Sequence, residues 1–583
     1  MLGFILAVSL QSGALFPLTL TLPLNPGNIQ HPTSNAQHPL TQQQAAIGCS
    51  MLGVGCWMFS LPSSGVQSAK SPFRGILSPG ERDPLSTGRD DSLSGGILPA
   101  LPTVLPLPKG EGRGEGEGSV RVNSSSEGFL IAANTAVAAG DTSATWKYGA
   151  AQAKITPTNL FWMGGFAARK HPAEGTLDDL YVKALAIEAP DGGTGLLVTA
   201  DLVGIPKWLY DHLSSELQRR YHLDRSRIRF ASSHTHSGPV LTDALRDIYP
   251  LDDQQRSLID AYSHWLEATM LDTAARALAS RSPATLWAGE GKATFAFNRR
   301  ANDEGKRAEM LRRGEAPKGA SDFAVPVLAV RAPDGQLRAA VFGYAAHTSA
   351  LTDNYRWSAD YAGVTQRALE SKHPGAAAMF FQGCGSDQSA VPRGSVELCQ
   401  ALGESLAAAV EAALAGPMHP VSPSFRAGFE FVSLDFETQP TRAELETLGQ
   451  GTDYRARWAR RLSAELAAGK VFERGYPEYP VQVWRLGTNQ LWIALGGEVC
   501  VDYALRFKRE FGPSTWVNGY ANDVMAYIPS RRLWEEGGYQ AGAFDVYGLP
   551  ATRWCPDIES RIATAVERLV KQVHSPILSP TPR

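Results

Sequence analysis

The chain reads as an α/β protein of mixed α+β type, a mixed β-sheet core flanked by helices. Three observations predict this. Short apolar runs of strand length alternate along residues 146–575 with longer stretches of helical period. Several of the runs pair through turns rich in Asp, Gly and Asn. Finally, His234, His347, Ser389 and Glu498 each stand just after such a run, where α/β proteins commonly carry their sites.

Taken in order, residues 1–145 are rich in Pro, Gly, Ser and Leu without regular period and include the low-complexity run 105–118, which cannot bury a core. We expect a disordered leader, or translation from an upstream start. Two stretches in it, 1–24 and 128–139, resemble export signals, the second through Ala136-Val137-Ala138, and export is the expectation. Order is expected from Trp146. Runs 181–189 and 194–200 form a hairpin through Asp191-Gly192, and Asp201 ends the second strand. Helical patterns follow at 208–221 and 254–279, the latter with Leu258, Tyr262, Trp265 and Leu266 on one packing face.

Strand 228–231 leads into Ser232-Ser233-His234-Thr235-His236. Runs 325–332 and 337–346 pair through Pro333-Asp334-Gly335, and the second ends at His347. Strand 376–381 delivers Gly383 to Ser389. Helix 396–415 stops at Gly416-Pro417, and Thr441 with Glu444 forms a capping box that opens a charged helical segment towards Lys470. Runs 481–486 and 490–495 pair, the second delivering Gly497-Glu498. A last helix spans 557–573, and 576–583 is a tail. If the strands before His234, His347, Ser389 and Glu498 share one sheet in one sense, their ends meet on a single rim.

Composition narrows the function. Lys and Arg number 55 against 58 Asp and Glu, a net charge of -3 with no basic stripe, which argues against nucleic acid or an anionic membrane as partner. No apolar run reaches the roughly 18 to 20 residues needed to cross a bilayer. Six cysteines in 583 residues form no disulfide framework and no zinc-ribbon spacing, although one disulfide among Cys384, Cys399, Cys500 and Cys555 stays open.

Two imidazoles, a carboxylate and a phenol are acceptable donors to zinc, and such a set with room for water is an open, catalytic site. His234-Thr235-His236, Gly343 to Ser349, Gly383 to Ser389, Gly496-Gly497-Glu498 and Tyr520 to Tyr539 occur in one order along the chain. With these motifs the chain resembles the neutral ceramidase family over about 148–542. The resemblance implies a zinc hydrolase cleaving an N-acyl bond, with one Zn2+ per chain held by His234, His347, Glu498 and Tyr527 at strand ends. It implies His236, Arg299, Tyr539 and Ser389 as the catalytic set around the substrate. An N-acyl lipid such as ceramide, or another small amide, is the expected substrate, and peripheral contact with a membrane is compatible with it.

By residue type, Tyr527 also reads as a packed aromatic, and Arg299 beside Arg300 as a solvated charge pair. Ser389 reads as hydrogen-bond donor or as nucleophile. Asp360, in a family-like context, is expected to cap, and Cys384 and Cys500 to pack.

Three departures from the family stand out. The serine loop reads Gly385-Ser386-Asp387-Gln388-Ser389-Ala390 without Pro-Asn after the serine. Pro239-Val240-Leu241 follows the histidine motif, and no C-terminal β-sandwich is expected after the last helix. These departures keep open a zinc hydrolase of another amide or ester, and a non-catalytic binding protein with the same fold.

Overall fold

The computed structural model describes residues 145–575, so both export-like stretches, the low-complexity run and the tail lie outside the described residues. Two β-sheets pack face to face with helices on their outer sides. The larger orders its strands Ala377–Gln382, Leu337–Tyr344, Ala324–Arg331, Ser282–Lys292, Trp146–Lys154, Tyr181–Glu188, Thr194–Ala200 and Ile228–Ser232, with His419–Val421 added beside Ser282–Lys292. The pair at each edge is parallel and the interior pairs are antiparallel. The second sheet runs Trp516–Asn518, Gln490–Leu495, Gly475–Leu486, Phe425–Thr438, Arg553–Trp554.

Side-chain alternation explains why these strands read as continuous apolar runs. In Tyr181–Glu188, Val182, Ala184 and Ala186 face the helix Asp253–Ala279, while Leu185 and Ile187 face the second sheet. Both faces are therefore buried. Phe342 and Phe380 pack outward under Asp360–Lys372 and Val396–Ala415, whereas Val341 and Phe381 join Trp484, Trp492 and Trp516 between the sheets. Helix Ile558–His574 covers the second sheet with Ile562, Val566 and Leu569. Each fully buried side chain of this size contributes roughly 1.5–3 kcal/mol.

Among the described residues, Val396–Ala415 is the one helix long and apolar enough to cross a membrane. Its Leu402, Leu406 and Val410 are buried in the core instead.

Most expected elements form within a residue or two of their predicted ends. Three expectations are corrected. Trp265 leaves the packing face and is 47% exposed, because the buried stripe of its helix runs through Tyr262, Leu266 and Met270. The charged segment after the Thr441 capping box divides into Arg442–Leu448 and Tyr454–Ala467, broken at Gly449 and Gly451. The single rim of like-directed strands is not found: five antiparallel steps separate Leu337–Tyr344 from Thr194–Ala200, so the His234 and His347 strands run in opposite senses, and Glu498 follows a strand of the second sheet. Cys384, Cys399, Cys500 and Cys555 are free thiols.

What joins the two edges is the segment after Trp516–Asn518. Ser232 and Phe230 on one edge bond Tyr520 and Asn522, and Asn518 Nδ2 donates to the Gln382 carbonyl on the other (2.9 Å). Arg229, on the His234 strand, lies between Trp484 and Trp492, 4.1 and 4.7 Å from their ring centres, and donates to Gln482 Oε1 (2.9 Å). This fixes the His234 strand to the second sheet.

Candidate metal centre and substrate site

His234 follows Ile228–Ser232 in a left-handed turn, at φ 59°, which swings its ring out of the strand line. Its Nδ1–H donates to the Val203 carbonyl (2.6 Å). His347 follows Leu337–Tyr344, and its Nδ1–H donates to the Gly385 carbonyl (2.8 Å). A carbonyl can only accept, so in both rings the proton sits on Nδ1 and Nε2 presents a bare lone pair. Glu498 lies in register beside Tyr527 in a short parallel pair, Glu498–Val499 with Tyr527–Ile528. Gly497 ahead of it has φ +70°, and a Cβ there would stand 2.8 Å from the Ala526 carbonyl oxygen, so the close pairing requires glycine.

These groups converge. Glu498 Oε2 is 3.5 Å from His234 Nε2 and 3.3 Å from His347 Nε2. The ligand atoms of His234, His236 and His347 lie within 4.8 Å of one another, and all three residues are buried. Donors at 2.0–2.1 Å from a tetrahedral zinc stand about 3.3 Å apart. The separations found match that spacing. They also set three lone pairs facing one another, an arrangement that a cation stabilises and that is costly without one.

The electrostatics agree. Burial drives His347 down to about 3, with the Arg299 charge adding to the effect, and burial lowers His234 against the pull of Glu498. Burial works to raise Glu498, and the Tyr547 hydroxyl that donates to it works to lower it. The cluster is thus deprotonated and ready for a metal at neutral pH. Tyr547 donates to Glu498 Oε1 and Tyr520 donates to Oε2 (3.3 Å), orienting the carboxylate. No local sequence signal points to Tyr547, which reaches Glu498 across 49 residues.

The other expected residues gather around this core. The Tyr527 hydroxyl accepts from Arg299 Nη2 (3.3 Å), which also lies 3.4 Å from His347 Nε2 and donates to the Ser386 carbonyl (2.5 Å). Arg299 and Arg300 are not a solvated pair: Arg299 points into the site, and Arg300 binds Glu536 and Gln540 beside Tyr539. Tyr539 packs against Tyr527, ring centres 5.2 Å apart. His236 Nε2 is 3.1 Å from His234 Nε2, yet its buried Nδ1 has no partner, unlike the other two rings.

Ser389 is adjacent to His347 through a β-bridge, but its hydroxyl donates to Glu304, which pairs with Arg393 (2.8 Å). Asp360 is structural as expected but does not cap its helix, whose N-cap is Ala359: it accepts from Ala350, Leu351 and Tyr361 N–H at 3.0, 3.0 and 2.7 Å and so holds the loop after His347. Cys384 and Cys500 are buried packing residues whose thiols burial pushes up.

Fold and cluster together define a mixed α+β protein whose buried histidines can hold a metal ion. Solved structures of neutral ceramidases share this fold. The neutral ceramidase from Pseudomonas aeruginosa superposes with a TM-score of 0.56 at 19% identity, over 76% of this chain and 77% of that one. A second structure, described as ceramidase complexed with C2, gives 0.55 at 18% identity, over 75% and 77%. No protein-family model and no curated protein matches the sequence. At this identity the likeness is one of fold, and the resemblance carried by the ordered motifs agrees with it.

Proposed function

We propose that the chain is a zinc-dependent hydrolase of an N-acyl amide bond, with ceramide or a similar N-acyl lipid as substrate. One Zn2+ would be held by His234, His347, Glu498 and Tyr527. The observation that carries this reading is the convergence of the His234, His347 and Glu498 lone pairs, with each Nδ1 tied to a carbonyl. Bound zinc would supply a water acidified towards a pKa of about 7 and polarise the scissile carbonyl.

The chain's own residues supply the rest. His236 Nε2 and the Arg299 guanidinium edge the cluster, where each can donate to an oxygen gaining negative charge, and Tyr539 stands beside them as a further donor. Burial, with the Glu498 charge, pushes the Tyr527 phenol well up and Arg299 only partly opposes this, so Tyr527 would give up its proton only against the bound metal ion itself. The Ser389 hydroxyl is engaged by Glu304, which favours a hydrogen-bonding role over that of nucleophile.

The test is zinc per chain in purified protein, together with hydrolysis of an acyl amide by the parent and by His234→Ala. Stoichiometric zinc and turnover, both lost in the variant, are expected. Absent zinc with unchanged hydrolysis would sink the proposal. The commitment of Ser389 to Glu304, unexpected for a ceramidase-like serine, favours one second reading: the same zinc chemistry on a small amide or ester. Turnover of short acyl amides without turnover of ceramide would select it.

A further inference from the structure

His234 and His347 are each aimed by a hydrogen bond from their own Nδ1. His236 has none, and its Nδ1 is buried without a partner. Something else must hold that ring. The neighbouring loop Gly164 to His171 supplies it. The loop enters through a bridge between Met163 and Pro239 and a bond from Gly164 N to the Gly238 carbonyl (2.9 Å). Gly165, at φ +103°, packs against the root of the side chain: a Cβ there would stand 2.5 Å from His236 Cγ and 2.7 Å from its Cβ. Phe166 then meets the imidazole edge-on, ring centres 4.7 Å apart.

Arg169 ties this contact together. It is 7% exposed, and its buried Nε has no partner. Nη1 donates to the Gly164 carbonyl (2.8 Å), while Nη2 donates to the His236 carbonyl (2.6 Å) and to Asn354 O (3.3 Å). Its guanidinium carbon sits 5.1 Å from the Phe166 ring centre. Burying a guanidinium is costly, here with Nε left unpartnered and the Tyr249 hydroxyl beside the carbonyls, and a flat fork that reaches carbonyls on separate segments is geometry only arginine offers.

We infer that Arg169 is a positioning residue for His236, clamping the peptide that carries this imidazole against the Gly165–Phe166 face so that Nε2 stays aimed at the substrate. The clamp rests on the reading above that His236 serves the substrate, and the test separates the two. Arg169→Met and Arg169→Lys are compared with the parent as zinc-loaded full chain on a short-chain acyl amide. Alongside the kinetics, 13Cε1-histidine NMR reads the ring directly.

Arg169→Met should keep its zinc and lose about 10- to 100-fold in kcat, the usual effect of removing a partner that orients an active-site group, with KM little moved. Arg169→Lys should recover part of the rate. The His236 signal should shift and broaden while those of His234 and His347 stay. Arg169→Met combined with His236→Ala should be no slower than His236→Ala alone.

Parent kcat with an unmoved His236 signal overturns the clamp, and so does loss of zinc or a loss that adds in full to that of His236→Ala. If His236→Ala leaves the rate untouched while the His236 signal moves in Arg169→Met, the clamp stands and the substrate role of His236 falls. Should Arg169→Met fail to fold, the lysine variant carries the same readouts.

Discussion

Removing the His234 imidazole and removing the His236 imidazole should have opposite signatures, although their Nε2 atoms are only 3.1 Å apart. Proximity alone would count both as ligands. What divides them is the far side of each ring: His234 Nδ1 is fixed on Val203, whereas His236 Nδ1 is free. If about 10–16 kcal/mol of zinc binding is shared among four donors, each contributes about 2.5–4 kcal/mol. His234→Ala should then weaken zinc binding about 60- to 700-fold, at 1.4 kcal/mol per factor of ten. His236→Ala removes a donor to the reacting oxygen and should cost about 100- to 1000-fold in kcat with zinc retained. Zinc per chain after dialysis against a mild chelator, measured beside initial rates, separates the two losses. Equal loss of zinc in both variants would refute the division and make His236 a ligand.

Three further outcomes are expected. Tyr547→Phe deprives Glu498 Oε1 of its donor and should weaken zinc binding by about tenfold or more without unfolding the chain, read by chelator competition; unchanged affinity would remove Tyr547 from the site. Asp360→Ala strands three buried N–H groups at about 1 kcal/mol or more each, so the urea midpoint should fall by the equivalent of about 3 kcal/mol; a shift under a third of that would mean water replaces the carboxylate.

The third concerns acid. His347 is held at about 3 against an ordinary 6.5, so the unfolded chain binds its proton first. Stability is therefore complete above pH 6.5 and falls by about 1.4 kcal/mol per unit as pH drops from there towards 3. His234 and His236, also lowered by burial, add losses of the same sign below pH 6.5. Melting of zinc-free protein across this window should show at least that slope, and His347→Gln should reduce it by about 1.4 kcal/mol per unit.

The local chemistry of the site was legible in the sequence, and its assembly was not. His234, His347 and Glu498 could be placed at strand ends because each follows an apolar run, and a run reports its own burial; their roles rest on the resemblance of the ordered motifs. The capping box at Thr441 and the hairpin at Asp191-Gly192 were legible for the same reason: both ends of each interaction lie within a few residues. A run does not report its partner. Nothing local says that Gln490–Leu495 joins a second sheet, or that Phe425–Thr438 is a strand at all, since its exposed and half-buried positions dilute the pattern. The contacts that finish the site span long separations: Tyr547 to Glu498 across 49 residues, Ser389 to Glu304 across 85, Arg169 to His236 across 67.

The expected parallel rim failed for a related reason. A twist of about 20–25° per strand, accumulated across a wide sheet, turns one edge strongly against the other. Strands of opposite sense can then end side by side, provided something closes the gap between the edges. Here Asn518 to Asn522 closes it, bonding Gln382 on one edge and Phe230 and Ser232 on the other. The same segment carries Tyr520, which donates to Glu498. Closure of the sheet and orientation of the carboxylate are thus performed by one stretch of chain, so substitutions that loosen Asn518 or Asn522 should disturb the metal centre before they disturb either sheet.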